Sequence, residues 1–122
     1  MIKKILLILL STTLFSTTLF SKEKIEVKQE NIFVKKCVPC HEYLPSSLER
    51  MFMSYLKVYS GEKTFKESLK SFLRDPDEVS STMSELFLDR FGVKSKTELS
   101  DKELEEAVNL YWEMYNIRNK LK

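Results

Sequence analysis

The chain has 122 residues, with 20 basic and 18 acidic side chains and a formal charge of +2. That near-balance excludes the strongly basic surface of a nucleic-acid binder and a highly charged membrane-binding face. Only two glycines and three prolines punctuate it, and one helical domain rather than two is the architecture such a length and composition allow.

The first residues have the layout of an export signal. Lys3 and Lys4 precede an apolar run over residues 5–10, extended through residues 12–20, and charges resume at Lys22, Glu23 and Lys24. This pattern predicts a signal peptide over residues 1–21, cut after Ser21, with the mature domain over residues 22–122. The other outcome is an uncleaved signal serving as a tether, for which the apolar stretch is short. Loss of Lys3 and Lys4 leaves 18 basic against 18 acidic residues, so the mature domain is close to neutral.

The remainder is helical in period almost throughout. A first helix is predicted over residues 24–36, with Ile25, Ile32 and Phe33 as apolar points, running into the cysteine pair. Ser46 to Glu49 has the capping-box pattern and opens a helix whose stripe is Leu48, Met51, Phe52, Tyr55, Leu56 and Tyr59, closed by Gly61. Thr64 to Glu67 forms a second such pattern, followed by Phe65, Leu69, Phe72 and Leu73, with Pro76 ending the helix. Thr82 to Glu85 opens a short helix bearing Leu86, Phe87 and Phe91 and closed by Gly92. Residues 93–100 are a polar, lysine-containing loop. Ser100 to Glu103 begins the clearest helix, with Leu104, Ala107, Val108, Tyr111, Met114, Tyr115 and Arg118 along one stripe.

The chemistry concentrates in five residues. The two cysteines and the sole histidine occur together as Cys37-Val38-Pro39-Cys40-His41. Cys-x-x-Cys-His is the attachment motif of c-type haem. In one helical turn, residues i and i+3 project from the same face, so two thiols can each form a thioether to one haem vinyl group while the next residue offers its imidazole to the iron. An exported protein meets an oxidising compartment, but a disulfide across so short a loop removes little unfolded-state entropy and is a poor staple. A buried haem also helps a small domain whose own core is marginal.

Two other chemistries share these residues. Zinc usually takes four protein ligands, or three and an open position, and the chain offers three Cys/His donors in all. A thiol–disulfide oxidoreductase fits Cys-Val-Pro-Cys itself, but that motif belongs in a fold with strands and a later strand-leading proline. Pro76, at a helix end, is the only proline after residue 45.

With haem, His41 is the proximal ligand. No second histidine exists for a bis-histidine site or a distal acid–base role. The sixth position falls to methionine, lysine, solvent or nothing. Met51 lies on an apolar stripe and reads as core, Met53 lies off that stripe, and Met114 again reads as core. Met83 follows a proline-ended helix among Ser80, Ser81, Thr82 and Ser84, where the chain can cross to the other haem face. It is the favoured ligand, given the methionine/histidine pairing of electron-transfer haems, and Met51 is the other candidate.

The stretch Glu30-Asn31-Ile32-Phe33-Val34-Lys35-Lys36-Cys37-Val38-Pro39-Cys40-His41 resembles the entry of class I c-type cytochromes, with an aromatic four residues before the first cysteine. Leu73-Arg74-Asp75-Pro76, then Met83, then Leu99-Ser100-Asp101-Lys102-Glu103-Leu104 and Tyr111, are similar to the family's later half. The resemblance implies an all-α, cytochrome c-like fold of about four to five helices around one covalently bound haem c. It implies a C-terminal aromatic helix packed across the N-terminal one, and a proline carbonyl for His41 Nδ1, which only Pro45 is placed to offer.

The function that follows is a monomeric, periplasmic one-electron carrier, not an enzyme, serving redox partner proteins as donors and acceptors, with no nucleic acid and no small-molecule substrate. Its cofactor ligands are Cys37, Cys40, His41 and Met83, the last two on iron. Trp112, Tyr111 and the phenylalanines are core. Lys35 and Lys36 flank the motif, and Lys94 and Lys96 follow the ligand segment. They form either a weakly positive patch for an acidic partner or a plain solvated surface. The function from another class is a haem-based ligand binder or sensor with an open sixth position.

Overall fold

The computed structural model describes residues 31–121; the signal peptide predicted over residues 1–21 and the start of the first predicted helix lie outside them. Among the described residues there are six α-helices, one terminal 3₁₀ turn and no strand. The all-α expectation holds, with six helices where four to five were expected, because the cysteine turn forms a short helix of its own after Lys36.

Helix α1, Ile32–Lys36, starts where Asn31 Oδ1 accepts the Val34 N–H at 3.0 Å. It ends at Cys37, and α2, Val38–His41, follows directly. Pro39 explains the break: it has no N–H to continue the ladder, but sits without cost in a first helical turn. The joint stays tight, since the Cys37 N–H donates to Phe33 O at 2.9 Å, while the His41 N–H reaches Cys37 O only at 3.4 Å.

Helix α3, Leu48–Val58, is capped by Ser47, whose extended backbone lets its Oγ accept the Arg50 N–H at 3.2 Å. The cap therefore falls one residue after the predicted Ser46, and with Arg50 in the third helical position no box like the one predicted to Glu49 can form. Gly61 does not close α3. Its φ of +106°, which side-chain-bearing residues rarely adopt, turns the chain into α4, Glu62–Arg74. Thr64 then lies inside the first turn, and the box predicted there does not form. Asp75 and Pro76 follow the end of α4, as predicted.

Asp77 next makes a turn, its Oδ1 accepting the Val79 and Ser80 N–H groups at 2.8 and 2.9 Å. Helix α5, Glu85–Phe91, is capped by Ser84 rather than Thr82, and Gly92, at φ +71°, closes it. Residues 93–100 carry no regular structure. Helix α6, Asp101–Tyr115, has the complete predicted box: the Glu103 N–H donates to Ser100 Oγ at 3.3 Å and the Ser100 N–H to Glu103 Oε2 at 2.9 Å.

The core is aromatic. Phe33 of α1, Phe52 and Tyr55 of α3, Phe65 of α4, and Tyr111 and Trp112 of α6 form one buried cluster. Phe33 stacks on Tyr111 with ring centroids 5.3 Å apart, Phe52 lies 4.7 Å from Phe65, and Phe65 lies 5.1 Å from Trp112. Leu104, Ala107 and Val108 complete the buried face of α6. Helix α6 is the common support, packing on both α1 and α4. The C-terminal aromatic helix therefore touches the helix before the cysteines. Tyr111 also donates its hydroxyl to Leu48 O at 2.6 Å, joining α6 to the first turn of α3. Ion pairs Lys70–Glu105 and Arg74–Asp101 bridge α4 and α6 at the surface, where such pairs add little.

Two expectations about burial fail. Met114, predicted as core, is 40% exposed, because contact with α4 rotates the buried arc toward Trp112. Helix α5 buries none of its residues, leaving Leu86 82% and Phe91 44% exposed.

Candidate haem-attachment site

The α1–α2 joint presents the two thiols unequally. Cys37 is half-buried against the aromatic cluster, next to Val34 and Val38, whereas Cys40 is exposed; both are free thiols. Burial pushes the Cys37 thiol up, Lys94 opposes that, and the neighbouring Cys40 adds to it. Tyr111 lies near enough for Cys37 to raise its hydroxyl further, beyond the larger effects of burial and Tyr115.

His41 is half-buried. Burial first, and the Lys94 charge second, hold its imidazole below the usual histidine value. It is therefore neutral at pH 7, the form that ligates a metal. Its Nδ1 is buried and has no hydrogen-bond partner. The carbonyl of Pro45 does not engage it, contrary to the expectation drawn from the family resemblance. The reason is local: after α2 the chain turns at once, with the Glu42 N–H on Val38 O at 3.0 Å and the Leu44 N–H on His41 O at 3.3 Å.

The loop after α5 supplies the charge at the site. Its Lys94 ammonium donates to Ser95 O at 2.7 Å. The loop is held against the end of α4 by the Thr97 N–H on Leu73 O at 2.9 Å. Lys35 and Lys36 are exposed at the end of α1. Lys94 was singled out in the sequence only as one of four lysines; its influence on both Cys37 and His41 comes from loop closure, which no local pattern announces.

Met83 lies on a separate segment between the Asp77 turn and α5. It is half-buried, and its N–H donates to Ser81 Oγ at 3.2 Å. Met51 is half-buried too, but the methionine that packs against the aromatic cluster is Met53, which its place off the α3 stripe did not suggest.

These residues suit a haem better than a bare ion. Among the described residues no group of three His, Cys, Asp or Glu side chains could hold a metal ion. A haem iron brings four nitrogens of its own and asks the protein for one or two ligands. His41 could supply one such ligand, and Cys37 and Cys40, two free thiols one turn apart, could carry the thioether bonds of an attached haem. Compared with known proteins, the chain matches no family model, no curated protein and no solved structure.

Proposed function

We propose that the chain is an exported, monomeric class I c-type cytochrome that carries single electrons between redox partner proteins in the periplasm. The observation that carries this reading is the Cys37–His41 turn, where two free thiols and a neutral histidine share one turn at the edge of an aromatic core. Cys37 and Cys40 would hold a haem through thioether bonds, His41 would be the proximal ligand, and Met83 the sixth. Bound there, the haem supplies a one-electron couple whose potential depends on its axial ligands, hydrogen bonding and burial.

The polypeptide's part is to position and to shield. The stacked pair Phe33 and Tyr111 seats α1 on α6 and so fixes the Cys37 end of the turn. The aromatic cluster keeps water from that side. Lys94, with Lys35 and Lys36, gives the site a positive rim suited to an acidic docking surface. No side chain is asked to act as acid, base or nucleophile.

The deciding experiment is expression with a cytochrome-maturation system, followed by intact mass and an absorption spectrum. A mass increase of one haem, lost in Cys37→Ser/Cys40→Ser, supports the reading; bare protein overturns it. For the sixth ligand, the far-red ferric band of methionine-ligated haem should vanish in Met83→Ala and persist in Met51→Ala. Absence of that band from the wild type, with rapid carbon monoxide binding, would replace the carrier with a ligand binder.

A further inference from the structure

Four helices, α1, α3, α4 and α6, meet in side chains that belong to the protein alone. Phe52 is fully buried and lies 4.7 Å from Phe65, 5.3 Å from Tyr111 and 5.6 Å from Trp112. Tyr55 meets Phe65 at 5.3 Å, and Phe33 meets Tyr111 at the same distance. The six rings thus form a continuous set with Phe52, Phe65 and Tyr111 at its centre. Burying one such ring is worth several kcal/mol, as the usual cost of about 3–5 kcal/mol for truncating it to alanine indicates. The Tyr111–Leu48 bond and the Ser100–Glu103 box add polar links and a firm helix start.

The thiols sit at the edge of this set. Val34, Cys37 and Val38 rest on it, while Pro39 and Cys40 are exposed. Residues 81–96 stand apart. None of them is buried, and α5 shows both Leu86 and Phe91 to solvent. The stretch is anchored outside itself, by the Asp77 turn before it and by Thr97 on Leu73 after it.

We propose that the body built from α1, α3, α4 and α6 folds cooperatively with no prosthetic group attached, masking Cys37 and leaving Cys40 accessible, while residues 81–96 lie outside the cooperative unit. The six rings give this small domain a core of its own. The inference does not require the carrier reading, because it concerns the polypeptide before any attachment.

The test is native-state hydrogen exchange on the full chain carrying Cys37→Ser and Cys40→Ser, which cannot take up a haem through thioethers. Amides of α3, α4 and α6 should exchange at least about a hundredfold more slowly than those of residues 81–96, as expected between a cooperative core and a segment that opens locally. Helices that exchange at the rate of an unfolded chain, or residues 81–96 protected as well as α6, overturn the proposal. Because Cys37 touches the core, the serine variant could fail for that reason alone. The reduced wild-type chain, made without maturation machinery, then decides. Protected helices, with Cys40 alkylated at least about tenfold faster than Cys37 until denaturant is added, support the proposal. Unprotected helices, or equal alkylation rates, overturn it.

Discussion

Replacing Tyr111 by Phe isolates one long-range bond without disturbing the aromatic packing. The ring stacks on Phe33 at 5.3 Å and meets Phe52 edge-on at the same distance, and both contacts survive the change. What is lost is the hydroxyl that donates to Leu48 O at 2.6 Å, across 63 residues of sequence. A net intramolecular hydrogen bond is worth about 0.5–1.5 kcal/mol, and an acceptor stranded without a partner costs more. Leu48 O is not stranded, because it opens α3 and has the helical Phe52 N–H to accept. The loss should therefore be about 1 kcal/mol, equivalent to roughly 4–8 °C in Tm for a domain of this size. Thermal and urea unfolding followed by circular dichroism, with unchanged m-value, would measure it. Tyr43→Phe is the control, since Tyr43 is exposed and its hydroxyl should matter by less than about 0.5 kcal/mol. Equal stability of Tyr111→Phe and wild type would refute the claim that this bond fastens α6 to α3. A loss above about 3 kcal/mol would show that the ring itself had moved.

Ser100→Ala should cost about 1 kcal/mol by removing the cap of α6, with a drop in helicity by circular dichroism. The Glu103 carboxyl is held below its usual range by the Ser100 N–H and hydroxyl. The hydroxyl's bond to that carboxylate should be complete at neutral pH and fade as pH falls through that lowered value, whereas the Glu103 N–H bond to Ser100 Oγ does not titrate, so the gap between wild type and Ser100→Ala should narrow in acid without closing; a constant gap would refute this. Gly61→Ala meets no neighbouring atom, yet its φ of +106° strains any side-chain-bearing residue, so a loss of about 1–3 kcal/mol is expected from the backbone alone. An unchanged urea midpoint would show that the turn relaxes. In haem-loaded protein, Lys94→Gln should lower the midpoint potential, because a cation beside His41 disfavours the more positive ferric state. The shift should be roughly tens of millivolts, since Lys94 is exposed and such charges are worth about 1 kcal/mol or less. Spectroelectrochemistry at low salt giving an unchanged or higher potential would rule this out.

The aromatic helix α6 and its cap were legible in the sequence, because Ser100 and Glu103 satisfy one another locally and the Leu104–Tyr111 stripe points one way. The earlier starts were harder. Ser46 and Ser47 are chemically equivalent caps, and backbone conformation rather than residue type selects Ser47. At α4 the left-handed Gly61 sets the first turn, leaving Thr64 inside it. Trp112 was read as core and is buried, but Met114, placed on the same stripe, is 40% exposed, because contact with Phe65 of α4 sets which arc of α6 faces inward. The Cys37–His41 turn was legible as a motif. Its unequal thiols and the Lys94 charge depend on which loops close over it, and short-range patterns carry no such information.

The dependence of α1 on α6 has a bearing on timing. If the chain is exported N-terminus first, as proposed, Cys37 emerges well before Tyr111, the residue that presses Phe33 into place. Until α6 emerges and docks, both sulfurs are equally open to modification. Afterwards Cys37 is half-buried against the rings and Cys40 stays exposed. In that order of delivery the inner sulfur would react freely only until the last helix arrives.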